Sequence, residues 1–333
     1  MRKLGAFILG ATLSFAFALI EPKSLTAYAN EETVYIGGMP AGFTLTTGGT
    51  QVIGICEVVS EQGVFSPALD AGIQAGDKIV KVNHIQVETI EELNKLVNNS
   101  NGNALNIEII RKNERKNIEI FPIKDKLSNQ YKIGVLVRDS VSGIGTITYI
   151  TQNGEFGALG HAVMENGRQS SISNGSVFEC SIIGVNKGVR GKAGELKGVF
   201  LNETILGNAE KLCEYGIIGR TSKNFKFDNL QKVPASSNSV KPGEAYIYST
   251  INGVCPKRYN IEIVKVDRHN KDNKNYVIKI VDDDLISEAG GIVQGMSGSP
   301  IVQEGKLVGA ITHVFLNDPT RGYGIEIETM LQK

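Results

Sequence analysis

The amino-acid sequence predicts a mainly β protein with two folded domains behind a hydrophobic N-terminal segment, and three observations carry that expectation. The chain has 333 residues, about twice the length of a typical domain. Beyond residue 130 it runs in short apolar stretches separated by Gly, Asn and Lys turns, the texture of closed or sandwiched antiparallel sheets. Between Ala41 and Ile123 the pattern differs, with two helix-like segments set among strands. An apolar content of 41% with a formal net charge of zero fits a folded globular chain and argues against a nucleic-acid partner recruited by bulk charge.

The N-terminus opens with Met1-Arg2-Lys3, and no charged residue interrupts Leu4 to Ile20. Such a segment is either a signal peptide or a short membrane anchor, here assigned to residues 1–30, with Ala27 and Ala29 as small residues near a cleavage site. Both readings place the rest of the chain outside the membrane it crosses. Residues 31–123 form the first domain with its lead-in. Gly42 to Leu45 and Val52 to Val59 are strand candidates, and Ser66-Pro67 opens a short helix that turns Ala68, Leu69 and Ala71 inward and ends at Gly72. A strand follows Gly76-Asp77; a second helix over Ile90 to Val97 presents Leu93, Leu96 and Val97 on one face; strands close the unit at Leu105 to Ile110 and Asn117 to Phe121.

Residues 124–130 read as a polar linker, and residues 131–333 as the second domain. Its strand candidates are Ile133 to Arg138, Gly145 to Ile150, Ser176 to Ile183, Gly198 to Leu201, Ala245 to Ser249, Tyr259 to Val266 and Tyr276 to Ile280, with a short helix expected between Glu203 and Gly216. Val185 to Lys192 is basic and glycine-rich but lacks the phosphate-loop spacing, so it reads as a solvated turn. Cys56, Cys180, Cys213 and Cys255 form no zinc spacing and read as buried free thiols. No metal or cofactor is expected.

The chemistry concentrates at residues 290–314. Ser297 sits in Gly295-Met296-Ser297-Gly298-Ser299-Pro300, between the apolar runs Ile292-Val293 and Ile301-Val302. Flanking glycines allow a tight turn and keep side chains away from the hydroxyl, as an exposed nucleophile requires. Ser299 is the adjacent rival and reads as a supporting residue. A serine needs a base, and the base needs an orienting group. His161, in Gly160-His161-Ala162-Val163, is the favoured base among four histidines. His84 and His269 read as surface residues, and His313 as a residue that lines the cleft or packs on the barrel. The carboxylate comes from Asp282-Asp283-Asp284, fifteen residues before the serine, with Asp283 and Asp284 as alternatives to Asp282.

The turn resembles the nucleophile turn of trypsin-like peptidases, G-D-S-G-G-P, with Met296 and Ser299 as departures. More extensively, G-G-I-V-Q-G-M-S-G-S-P-I, T-H-V-F-L-N-D-P-T-R-G-Y-G-I and Gly160-His161-Ala162-Val163 resemble the SpoIVB peptidase family, the stage IV sporulation serine peptidases. That resemblance implies a trypsin-like double β-barrel, Ser297 as nucleophile, His161 as base and Asp282 as orienting carboxylate. Given barrels, the Gly295 and Ser297 N–H groups are the candidates for the oxyanion hole. The order A-G-I-x-A-G-D-x-I-x-x-V-N at residues 71–83 resembles a PDZ domain, which implies a groove for a peptide segment, with Gly38 to Phe43 in the place of the carboxylate-binding loop.

The family resemblance further implies limited proteolysis in sporulation signalling, including self-cleavage. It implies export across the forespore membrane into the intermembrane space, and a membrane-associated regulator of sigma-factor processing as substrate, leading to activation of a late mother-cell sigma factor. The competing account is a PDZ peptide-binding adaptor with a degenerate peptidase fold, against which stands the presence of all three residue types. A lipase or esterase reading lacks the strand-to-helix setting of a nucleophile elbow.

Overall fold

The computed structural model describes residues 32–165, 168–169 and 174–332, so the expected signal or anchor segment lies outside the described residues. Among the described residues no helix is long and apolar enough to cross a membrane. The described chain begins with two strands, β1 (Thr33–Ile36) and the long β2 (Pro40–Ile55). After β2 comes the small mixed unit: α1 (Pro67–Asp70), β3 (Lys78–Val82), α2 (Ile90–Asn99), β4 (Leu105–Arg111) and β5 (Glu114–Ile120).

The helix α2 forms where its sequence pattern places it. Thr89 accepts from the Glu92 N–H while Glu92 reaches back to the Thr89 N–H, a capping box, and Leu93 and Val97 are buried. They join Val52, Ile79, Val82, Ile107 and Ile109 in one core, each full burial contributing about 1.5–3 kcal/mol. In α1, Ala68 is buried but Leu69 is exposed, because a helix of a single turn has room to bury little more than one side chain.

The strand β6 (Val135–Thr151) then returns antiparallel along β2 for almost its whole length, from Val135 opposite Ile55 to Thr146 opposite Pro40. It leads into β7 (Glu155–Leu159), β8 (Asn174–Asn186), β9 (Gly194–Cys213) and β10 (Gly216–Thr221). The pairings β2 to β6, β6 to β7, β7 to β10, β10 to β9, β9 to β8 and β8 to β2 run round in a ring, closing a first barrel over Phe43, Ile147, Phe156, Val177 and Ile217. The helix expected between Glu203 and Gly216 is instead the second half of β9. Pairing with strands on both sides satisfies its backbone there, and that outweighs the local helical pattern.

The second barrel is closed from β11 (Gly243–Ser249), β12 (Lys257–Val266), β13 (Tyr276–Ile280), β14 (Pro300–Gln303), β15 (Lys306–Phe315) and β16 (Asp318–Glu326), with α3 (Asp283–Ala289) between β13 and β14. Ile247, Ile261, Ile263, Ile278, Ile301 and Ile311 fill it.

This topology alters the domain organisation read from sequence. The lead-in residues belong to the first barrel: β1 pairs with β6, and residues 41–46 of β2 pair with both β6 and β8. The small unit is therefore an insertion between two neighbouring barrel strands. Pro40 to Phe43 is likewise barrel strand, and Gly38 and Met39 are the short connection that leads into it; Gly38 donates to Ile147 O (2.7 Å), and its carbonyl accepts from Thr250 Oγ1 (3.0 Å). The polar linker is an ordered hairpin turn. Ile123–Lys124 pairs with Tyr131–Lys132, and one Asp125 oxygen accepts from Ser128 N, Ser128 Oγ and Lys132 Nζ at 2.7–3.0 Å. These three donors hold the Asp125 carboxyl well below the ordinary range.

Asp77, 1% exposed, is held by Arg111 through two contacts of 2.6 Å and accepts from Gln74 N at 2.8 Å. Arg111→Met removes the countercharge and leaves a buried carboxylate. Urea unfolding is expected to show a loss of about 3 kcal/mol, the lower end for unpairing a buried charge. A loss under about 1 kcal/mol would mean the pair is not what anchors this turn.

Candidate active site

The serine turn is fixed from outside itself. Its entry, Val293–Gln294, pairs in parallel with Gly194 and Glu195 of β9, and Ile292 N donates to Pro319 O at 2.8 Å. Gly295 and Gly298 have φ of +98° and +94°, a region that favours glycine. At Gly298 space is also lacking, since a Cβ would lie 2.2 Å from Thr146 O and 2.6 Å from Leu159 N.

Three carbonyls of the turn are bound by one strand of the first barrel. On β6, Thr146 N donates to Ser297 O (3.1 Å), Thr146 Oγ1 to Gly295 O (2.8 Å) and Thr148 Oγ1 to Gly298 O (2.8 Å). Within the turn, Met296 N donates to Val293 O, Gly298 N to Ile311 O and Ser299 N to Met296 O. The oxyanion-hole candidates Gly295 and Ser297 are the residues whose N–H groups these bonds leave unused, and both line the cleft. Ser299 is fully buried, 3.0 Å from Ser249 Oγ, which makes it a strut of the second barrel.

Ser297 and His161 line one cleft of about 1180 Å³, together with His313, Lys274, Asp272 and Glu214. The chain leaves β7 through Leu159 and Gly160, both at positive φ (72° and 68°), and this tight reversal carries His161 to the cleft wall. His161 Nδ1 lies 2.9 Å from Ala162 O. A carbonyl only accepts, so Nδ1 carries the hydrogen and the Nε2 lone pair is left to take a proton. The Ser297 hydroxyl donates to Thr312 O at 2.9 Å, which holds it in a resting position on β15.

Asp282 is placed elsewhere. It caps α3: Oδ1 accepts from Leu285 N (3.2 Å) and Oδ2 from Asn260 N (3.0 Å), while Asp283 and Asp284 fill the first helical turn. An acidic triplet before an apolar run is a helix start, because its carboxylates satisfy the free N–H groups and favour the helix dipole. The structure thus brings His161 and Ser297 together and leaves Asp282 on α3; among the described residues no carboxylate is bonded to His161. What stands beside His161 is His313, with ring centroids 5.0 Å apart and planes inclined at 41°. His313 does line the cleft, as expected from sequence.

Burial pushes the His161 pKa below its ordinary value, and the Ala162 hydrogen bond offsets part of that fall. His313 is also lowered, by desolvation first and then by the neighbouring His161 and Lys274. Sequence reasoning missed Thr146, Thr148, Lys274 and Glu214. The two threonines share a strand face, which a period of two shows, but nothing local shows what that face meets.

The profile of the SpoIVB peptidase S55 family matches residues 129–331, and that of the PDZ domain matches residues 42–121. Among curated proteins, the chain is similar to one of Brucella suis biovar 1 named as a zinc metalloprotease (27% identity over 106 residues, 31% of this chain and 28% of that protein). It is also similar to one of the same kind from Mesorhizobium japonicum (31% over 114 residues, 33% and 31%). The chain thus spans less than a third of the length of these curated relatives. Among solved structures it is similar to a serine-to-alanine variant of Rv3671c from M. tuberculosis H37Rv in an inactive form, with 13% identity, a TM-score of 0.31, and 57% of this chain and 80% of that one covered. A scabies mite inactivated protease paralogue, S-D1, gives 13% identity, a TM-score of 0.33 and coverage of 57% and 84%.

Because burial disfavours the charged imidazole, His161 stays neutral to lower pH than an exposed histidine. The rate at which a fluorophosphonate labels Ser297 is therefore expected to fall to half at a pH below 6.5, the ordinary histidine value. A midpoint above 6.5 would show that His161 is not the group whose neutral form governs the serine.

Proposed function

The chain belongs to the SpoIVB peptidase S55 family, and from that premise we propose that it is a serine endopeptidase acting by limited proteolysis on protein substrates, itself included. The observation that carries the reading is the shared cleft: it is lined by a half-buried hydroxyl in a glycine turn and by a histidine whose bond to Ala162 O leaves its Nε2 free to accept a proton. When a peptide carbonyl enters, Ser297 Oγ leaves Thr312 O and attacks the carbon, and its proton passes to His161 Nε2. The oxygen that gains charge meets the Gly295 and Ser297 N–H groups, and the proton then goes to the leaving amine. Water attacks the acyl-enzyme by the same route in reverse roles.

The substrate class follows from the accompanying PDZ unit, which selects or positions an extended segment by strand addition. The family's name supports a place in sporulation. In our reading the chain is exported across the forespore membrane, held near it by residues 1–30, and acts on a membrane-associated regulator whose cleavage leads to sigma-factor activation. The adaptor alternative is less favoured, since a pure scaffold has no need of a free imidazole in the same cleft as a half-buried serine hydroxyl.

Intact-mass measurements over time on wild type and on Ser297→Ala test the proposal. Wild type is expected to shorten at defined bonds while the alanine form stays whole, and restores cleavage only when wild type is added. Identical cutting of both forms would mean the scission comes from elsewhere and would remove the case for Ser297.

A further inference from the structure

A PDZ unit takes an extended peptide as one more strand on the edge of its sheet, with alternate side chains of the peptide turned into pockets. Here the small sheet runs from β5 through β4 and β3 to the end of β2, where Thr50 pairs with Ile79 and Gln51 with Lys78. The other edge of β2 is taken by the chain that leads into β6. Cys56 N donates to Gly134 O at 3.0 Å, and Val135, Leu136, Val137 and Arg138 lie antiparallel to β2, opposite Ile55, Gly54, Val52 and Gln51.

The same residues run along α2 from its last turn to its first. Tyr131 N donates to Asn98 Oδ1 at 3.1 Å, and at the other end Ile90 N donates to Asp139 Oδ2 at 2.8 Å. Between these ends the side chains alternate as in an added strand: Ile133 is buried and Val135 and Val137 are half-buried against the PDZ core, while Leu136 is 51% exposed. The segment ends in a carboxylate at the helix N-terminus, where the dipole favours negative charge. Past it the register shifts between Arg138 and Ser140, and from there to Thr146 the strand pairs with residues 40–46 of β2. Residues 133–139 can therefore leave the sheet edge without undoing the barrel ladder that carries Thr146.

Resting on the PDZ match and not on the assignment of Ser297, we propose that the peptide groove of this unit is filled by the chain's own segment Ile133 to Asp139. An extended peptide from another chain enters only by displacing that segment. The peptide that does so carries apolar side chains at alternate positions and a carboxylate at its end, the pattern of Ile133, Val135, Val137 and Asp139. Because the resident strand is tethered at both ends, it acts against a free competitor at an effective concentration on the order of millimolar. The segment that the PDZ unit positions by strand addition is thus, first of all, its own.

The test measures binding of a fluorescein-labelled peptide with the sequence of residues 131–140, titrated to millimolar concentration, to the full chain carrying Ser297→Ala so that nothing is cut. The otherwise unaltered chain is compared with two variants. Val135→Asp with Val137→Asp sets charges against the PDZ core and empties the groove, and is expected to bind the peptide at least about tenfold more tightly than the unaltered chain. Gly54→Cys with Leu136→Cys staples the resident strand in place, since a Cβ at Gly54 lies 3.9 Å from Leu136 Cβ, within disulfide range. In its oxidised form, with the bridge located by mass mapping, it is expected to bind no peptide, and reduction to restore the affinity of the unaltered chain. The proposal is overturned if the unaltered chain binds as tightly as the aspartate variant, if that variant folds and binds no peptide, or if the oxidised staple binds the peptide. Should the aspartate variant fail to fold, hydrogen exchange decides. Unlabelled peptide is then expected to speed exchange at residues 133–139 of the unaltered chain and to leave residues 141–146 unchanged, and no change at 133–139 overturns the proposal. None of these outcomes depends on cleavage, so the peptidase assignment stands or falls separately.

Discussion

The arrangement depends on one strand of the first barrel holding the serine turn of the second. Thr146 and Thr148 of β6 bind the carbonyls of Gly295, Ser297 and Gly298 through two hydroxyls and one amide. A turn with two residues at positive φ has few internal bonds and would wander if left to itself. With its carbonyls fixed, the turn is held in one conformation, which is a condition for preorganised stabilisation of a developing oxyanion. The same bonds bring the barrels close enough that Gly298 has no space for a Cβ. Ser297 is thus held by the barrel that also carries His161.

That strand has a second attachment. Its first residues, Val135 to Arg138, pair with the end of β2 beside the PDZ core, where Val135 and Val137 pack against it, and Asp139 accepts from the first N–H of α2 at 2.8 Å. β6 therefore runs unbroken from the inserted unit to the turn that holds Ser297. An insertion between adjacent barrel strands leaves the barrel closed, since the strands on either side of it still pair with each other. It also means that the peptide-binding unit and the peptidase barrels are joined through paired backbone and not through a flexible tether.

At His161, burial outweighs charge pairing: desolvation lowers its proton affinity, and no carboxylate among the described residues counters that loss. Asp282 shows how a residue type in a plausible position can be taken up by another task. Two backbone N–H groups, on Leu285 and Asn260, each bind one of its oxygens and hold it at the start of α3.

The sequence by itself determined the β-rich character, the α2 helix with its capping box, the turn around Ser297 and the histidine that shares its cleft. Each of these is written in local terms: a period of two or 3.6, a cap, a glycine at a residue that needs positive φ. Only the tertiary structure decided that residues 33–46 complete the first barrel, that residues 203–213 are strand and not helix, that Asp282 caps α3, and that His313 lies against His161. The reason is the same in each case. A strand edge, a carboxylate and an imidazole each have several acceptable partners, and which one is taken is set by what the closed barrels bring within about 3–5 Å, a distance no spacing along the chain encodes.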